Sequence, residues 1–251
     1  NSTIEGNEIY NVTPQTTANS AINMSAAGLG GVNNIVGNKI YNLQNTSATT
    51  IRGITGIPGE GSTLNIINNF ISITQDNGTK TSIYAIQLSG TTGHTANIYF
   101  NTIRLGGVHT GGTSGVIVSG GLIKSNTGVT ATFNAKNNVS INNRSAGTAG
   151  VVHTNFFAGA TNLVGTLDIN YNVYFADGGV GAFHSGWNGT VFTDQQAYRD
   201  SAAPHEQNSI FYNVNFVSNT DLHVAGASMG DTTLSGLPIA GITTDIDGQT
   251  R

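Results

Sequence analysis

A short motif that returns at a nearly constant interval constrains the fold of this chain more than any other feature. The stretch Ile4–Asn11 (IEGNEIYN) returns as Ile35–Asn42 (IVGNKIYN), and looser copies follow. The asparagines at the same place in the six copies are Asn7, Asn38, Asn69, Asn101, Asn138 and Asn172. Five of the six have isoleucine three positions before them. A repeat of this length indicates a solenoid, in which each repeat buries its apolar face against its neighbours.

A second series of short apolar strands runs in phase with the first, beginning at small residues such as Ala21, Gly53 and Ala85. Each repeat therefore contains three strands that are too short to be stable alone. The composition agrees, because 9% charged residues, 34 glycines and 31 asparagines suit turns and strands better than surface helices. The sequence predicts an all-β protein.

The recurring asparagine has a specific use at a sharp bend between two strands. Asparagine tolerates left-handed backbone angles, and its amide can bond to the same residue in the next coil. This combination resembles the right-handed parallel β-helix of pectate-lyase-like proteins. The resemblance implies about six coils over residues 1–187, with three short strands per coil and an asparagine ladder.

The repeat pattern ends after Trp187, and residues 188–251 are expected to form a C-terminal closing segment of the same domain. Thr193–Gln196 reads as a capping box that starts a short helix. Asn208–Val224 and Gly241–Arg251 resemble the closing segment of β-helix domains in large surface proteins of Bacteroidota-type bacteria, which are type IX secretion substrates. That resemblance implies a secreted or cell-surface location, flanking domains in a larger chain, and candidate O-glycosylation sites at Ser201 and Thr232.

Several functions are disfavoured by composition. Nine Lys and Arg residues are scattered through a chain of net charge −4, which argues against nucleic acid as a partner. The sequence has no cysteine for a disulfide or a thiolate zinc site, and no apolar run of the roughly 20 residues needed for membrane insertion. Only four carboxylates precede residue 165, so neither a calcium-dependent lyase site nor a paired-carboxylate hydrolase site is indicated. No catalytic residue, metal site or cofactor is predicted.

The remaining candidate site is a polar strip on the third-strand face. His153 and His184 are separated by one repeat, and alternation with Val152 and Phe183 is expected to turn both imidazoles outward on adjacent coils. Asn23 and Gln87 from earlier coils, and Trp187 just beyond, complete the strip.

We expect a non-catalytic module that presents a rigid face for adhesion or for binding a polysaccharide or cell-surface glycan. An ordinary solvated ladder is the plainer interpretation of the same residues. The enzymatic alternative is a polysaccharide lyase or glycoside hydrolase acting on the His153/His184 face. An ice-binding or purely spacing solenoid ranks last, because threonines such as Thr130 and Thr132 do not follow a common phase.

Overall fold

The chain folds into a parallel β-solenoid of about five turns. The computed structural model describes residues 1–12, 18–25, 30–45, 49–79, 81–90, 93–111 and 116–251. The predicted solenoid and its asparagine ladder are confirmed, but about six coils is slightly too many. Six ladder asparagines enclose only five complete turns, which explains the difference.

Three sheets run along the solenoid, and every pair of named strands is parallel except the one formed by Ser185–Trp187 and Thr190–Phe192. Sheet A contains β1 (Ser2–Glu5), β4 (Val32–Val36), β7 (Thr63–Ile67), β10 (Thr95–Tyr99), β13 (Thr132–Lys136) and β16 (Thr166–Asn170). Sheet B contains β2 (Glu8–Tyr10), β5 (Lys39–Tyr41), β8 (Phe70–Thr79), β11 (Thr102–His109), β14 (Val139–Asn142), β17 (Val173–Ala176) and β20 (Ile210–Phe211). Sheet C contains β3 (Asn19–Ser25), β6 (Thr50–Ile57), β9 (Ser82–Leu88), β12 (Ile117–Lys124), β15 (Val152–Ala158), β18 (Ser185–Trp187) and β19 (Thr190–Phe192).

The core consists of columns of inward-pointing apolar side chains. Each column takes one residue from each strand of a sheet. In sheet A, Ile35, Ile66 and Ile98 are paired in register and are fully buried. These isoleucines are the residues three positions before the ladder asparagines. Because side chains alternate between the two faces of a strand, each inward column has outward columns on either side of it.

The asparagine ladder follows the bend between sheets A and B. Asn69 accepts at Oδ1 from the backbone N–H and from Nδ2 of Asn38, both at 3.0 Å, and donates the same two groups to Asn101 Oδ1 at 3.1 and 2.9 Å. The same pairs of bonds join the other neighbouring rungs. Every rung after Asn7 is buried.

The left-handed backbone angles lie one residue before the position that the sequence suggested. The residue that precedes each ladder asparagine has positive φ, from Gly6 (64°) and Gly37 (64°) to Asn68 (56°) and Phe100 (57°). The preceding residue makes the turn, and the ladder asparagine supplies the amide that bonds to the next coil. The asparagine is therefore needed at the ladder position for its side chain.

The closing segment terminates the ladder with acceptors of a different kind. Asn172 donates its backbone N–H to Ser209 Oγ at 2.9 Å and its Nδ2 to Glu206 Oε2 at 3.3 Å. The other carboxylate oxygen of Glu206, which is fully buried, accepts from the hydroxyls of Tyr174 (2.9 Å) and Tyr198 (2.8 Å). The last rung is thus paired without a seventh asparagine.

The rest of the closing segment packs at the end of the solenoid and then covers sheet B. The short helix α1 (Gln195–Ala202) begins at Asp194, whose side chain accepts from the N–H of Ala197 at 2.7 Å, so the cap is one residue later than the predicted Thr193. Further on, Val214 packs on Ile141 and Val173 of sheet B. The tail then returns along the bend, where Leu237 and Asn137 exchange two hydrogen bonds of 2.7 and 2.8 Å.

The helical content of the described residues is small. Among them, no helix has the length and apolar character needed to cross a membrane. Helix α1 contacts β18 and β19 at the end of sheet C. The later contacts of the described tail fall on sheet B and on the bend between sheets A and B, away from the middle strands of sheets A and C.

Candidate functional site

His153 does not lie on an outer face, and the prediction that its imidazole points outward is wrong. Its side chain is fully buried, with Nδ1 2.8 Å from Ser119 Oγ and Nε2 2.9 Å from the carbonyl of Ala146. Strand pairing places it beside Ser119 and in the same inward column as Ile83. Burial lowers the pKa of His153 to about 4, so the ring is neutral at physiological pH.

His153 belongs to a buried polar cluster instead. Its ring centroid lies 6.2 Å from that of His109, and His109 Nδ1 is 3.5 Å from Arg144 Nη2. Arg144 is fully buried and donates to the carbonyl of Val118 at 3.1 Å. Burial lowers the pKa of Arg144 to about 10. These groups fill the interior between sheets B and C and are not available to a ligand.

His184 and Trp187 also differ from the predicted strip. His184 is half-buried, accepts from the N–H of Ala176 at 2.9 Å and stacks on Phe175 at 4.9 Å. Trp187 is buried and packs on Phe156 at 5.9 Å. Both residues close the end of the core, so they do not form an exposed aromatic edge.

Two members of the predicted strip do lie on the outer face of sheet C. Asn23 is exposed and Gln87 is half-buried, and both pair in register with Thr55 of the strand between them. The same column continues through Ile123 to Phe157. The shift in numbering from one strand to the next is longer in this part of the column than in the first repeats. The two histidines were placed wrongly for another reason, because His153 is the buried residue of the Val152–His153 pair and is bridged to Ala182 instead of His184.

The outer face of sheet C carries a groove of about 400 Å³. The residues that line it combine aromatic, amide and hydroxyl side chains, and they are Tyr84, Gln87, Val116, Ile117, Ile123, Lys124, Ser125, Phe157 and Asn162. We call it the sheet C groove. Gln87 Nε2 donates to Ser125 Oγ at 3.3 Å, and the Tyr84 hydroxyl donates to the carbonyl of Ile117 at 2.8 Å. These bonds fix the polar side chains before any ligand arrives.

Two basic side chains lie beside or beneath this face. Arg52 lies beside the groove, with its guanidinium carbon 5.9 Å from the Tyr84 ring centroid and its Nε bonded to Gln87 Oε1. Lys124 lies under the groove, where its ammonium donates to the carbonyl of Asn162 and burial lowers its pKa to about 8. The strands of sheet C contain no Asp or Glu within the segments that the structure describes. An anionic ligand therefore meets no repulsion from these strands.

The other predicted positions are placed as follows. Ser201 and Thr232 are both exposed, near the end of α1 and in a short 3-10 turn respectively, and their glycosylation stays a prediction. Across the described ranges, no group of three or more His, Cys, Asp or Glu side chains converges to hold a metal ion.

Comparison with known proteins gives no relative, since no protein-family model, curated protein or solved structure matches the chain.

Proposed function

We propose that this protein is a non-catalytic carbohydrate-binding and adhesive module that holds an anionic polysaccharide in the sheet C groove. The observation that carries the proposal is the combination of Tyr84, Phe157 and Gln87 beside Arg52 on a face without carboxylates in its described strands. Aromatic rings can stack on sugar rings, amides bond to hydroxyls, and a guanidinium matches the geometry of a carboxylate. A polymer of uronic acids offers all three partners.

The shape of the solenoid supports binding to a polymer. Equivalent positions recur about every 4.8 Å along the stack, so successive coils present a continuous rigid surface. Few side chains would have to be ordered on binding, because Gln87 and Tyr84 are already held by hydrogen bonds. Preorganisation of this kind lowers the entropic cost of binding.

The proposal places the module in a secreted or cell-surface protein of the pectate-lyase-like β-helix type, with further domains on the same chain. Support comes from the resemblance of Asn208–Val224 and Gly241–Arg251 to closing segments of Bacteroidota-type surface proteins that use type IX secretion. In that setting, the groove would attach the parent protein to a matrix or cell-wall glycan.

Affinity electrophoresis in gels that contain polygalacturonate, alginate or neutral dextran tests the binding. We expect retardation in the two polyuronate gels. Arg52→Gln removes the charge, and Phe157→Leu removes the ring but keeps apolar bulk. Each variant should weaken binding about tenfold, equivalent to about 1.4 kcal/mol. Tyr10→Ala is the matched control, because Tyr10 is an exposed aromatic residue on sheet B.

Two results would overturn the proposal. One is wild-type migration that is the same in all gels, and the other is an equal loss of retardation in Tyr10→Ala. A second assay tests whether the protein is non-catalytic. The same polysaccharides are incubated with the protein, and unsaturated products and new reducing ends are measured. Measurable turnover would show that the protein is an enzyme and would contradict the non-catalytic proposal.

A further inference from the structure

The outer face of sheet A carries a repeated triplet that the candidate site does not use. Thr-x-Asn occurs as Thr63–Asn65, Thr95–Asn97 and Thr132–Asn134, and the next coil has Thr166–Asp168. In all four coils the threonine lies six positions before the ladder asparagine. The triplet is therefore in phase with the fold.

Strand pairing aligns the triplets of neighbouring coils, so that their residues form two columns. Thr63, Thr95, Thr132 and Thr166 are directly paired in register, and so are Asn34, Asn65, Asn97 and Asn134. The expectation that the threonines lack a common phase is wrong for this sheet. Thr130 and Thr132 belong to one coil, so the spacing between them carries no information about alignment between coils.

Sheet A is also the most regular of the three sheets. Its strand pairs have no register shift, whereas sheet B shifts between Gly107 and His109 and sheet C between Ile117 and Ser119. Each of its strands from β4 to β16 has five residues. The side chains of its two columns therefore form an evenly spaced array.

Hydrogen bonds hold the asparagine column in one orientation. Nδ2 of Asn65 donates to Asn34 Oδ1, Asn97 to Asn65, and Asn134 to Asn97, each at 2.8 Å. An amide nitrogen has two N–H groups and an amide oxygen has two lone pairs. Asn65 therefore keeps one donor and one acceptor that the column does not use, whereas Asn97 keeps one donor, because its Oδ1 also accepts from the Tyr99 hydroxyl at 3.3 Å. The threonines beside them are β-branched, so their side chains are also stiff.

The three central strands of this face carry no charge. β4, β7 and β10 read VNNIV, TLNII and TANIY, and the first charged residues, Lys136 and Asp168, pair with each other at 2.6 Å on the following coils. A rigid, neutral array with a repeat of about 4.8 Å across strands and about 6.6 Å along them is poorly suited to an ionic ligand. Those repeats are similar to the spacings of water molecules on a prism face of hexagonal ice.

We propose that the outer face of sheet A binds the surface of ice. The threonine methyl and hydroxyl groups and the fixed asparagine amides order water in the spacing of the crystal, and the regular register presents that layer across at least four coils. This activity is independent of the sheet C groove, because the two faces belong to different sheets.

Ice recrystallisation inhibition by the whole chain, together with partition into slowly grown ice, tests the proposal. The wild-type protein should keep ice grains small and enter the ice fraction. Thr95→Tyr, which places a bulky side chain at the centre of the threonine column, and Thr132→Lys, which adds a charge there, should each abolish both effects. Thr190→Tyr is the matched control, because Thr190 is exposed on β19 of sheet C.

The thermal midpoints of all four proteins are measured first, so that loss of fold is separated from loss of the face. Wild-type grains that coarsen as in buffer would overturn the proposal. It is equally overturned if Thr190→Tyr loses the effect together with a folded Thr95→Tyr, or if the protein adsorbs to crystalline cellulose but not to ice.

Discussion

Replacing Asn69 with alanine should destabilise the solenoid far more than the same change at Asn65. Asn69 Oδ1 accepts from two groups of Asn38, and its Nδ2 donates to Asn101 Oδ1 and to the carbonyl of Ile35, with all four residues buried. In Asn69→Ala, the Asn38 backbone N–H and the Ile35 carbonyl lose these partners away from water. The Asn38 amide retains its bond to the carbonyl of Ile4.

The expected loss of folding free energy follows from these two unpaired groups. A buried donor or acceptor left without a partner costs about 1 to 3 kcal/mol, so two partly relaxed groups should cost about 2 to 4 kcal/mol. For a domain of this size, this corresponds to a fall in melting midpoint of about 4 to 16 °C. Urea unfolding followed by circular dichroism, with its slope unchanged, gives the free energy directly.

Asn65→Ala is the control, because it removes an amide of the outer asparagine column on sheet A, four residues away in the same coil. Asn65 is half-buried, and water can replace its partners, so the cost should stay below about 1 kcal/mol. If the two variants lose the same free energy, the inner ladder is not a buried network and the reasoning fails.

Buried titratable groups give two further expectations. Burial raises the pKa of Glu206, so folding disfavours its ionised form, and wild-type stability should decline as pH rises from about 4.3 through the raised folded value. Glu206→Gln should flatten that part of the stability curve in urea unfolding, and an unchanged slope would refute the assignment. Burial lowers the pKa of His153 to about 4, so the stability contributed by its neutral ring should be present above about pH 6.5 and lost as pH falls toward 4. An NMR titration of His153 with a midpoint near its ordinary value would contradict its burial.

The solenoid could be predicted because its signals are local and repeated. Ile35 and Asn38 recur as Ile66 and Asn69 at nearly constant spacing, and each pair marks an inward column and a bend. The threonine column is marked in the same way, by the fixed offset between Thr63 and Asn69, which recurs in the following coils.

The sheet C groove could not be predicted, because its residues come after turns of variable length. Gln87 pairs with Ile123, and Ile123 pairs with Phe157, across two unequal gaps in the sequence, so a single period misaligns them. Trp187 turned inward because β18 is the last parallel strand of its sheet and its ring closes the core against Phe156.

The path of the tail was also beyond sequence reasoning. Arg251 donates to Asn68 Oδ1 at 2.9 Å and lies 4.1 Å from the Phe100 ring centroid. These contacts join residues that are far apart in the sequence, and no periodic pattern marks them. They hold the end of the tail on the bend between sheets A and B.

The register of neighbouring coils is the basis of every surface described above, and a single engineered disulfide tests it. The natural chain has no cysteine, so Asn65→Cys with Asn97→Cys introduces one pair. Directly paired parallel strands place the two Cα atoms about 4.8 Å apart, within the range for a disulfide. We predict rapid oxidation to an intramolecular bond, seen by mass spectrometry of tryptic peptides. The offset pair Asn65→Cys with Thr95→Cys should oxidise slowly, and equal rates for the two pairs, or no bond in the first, would contradict the solenoid register.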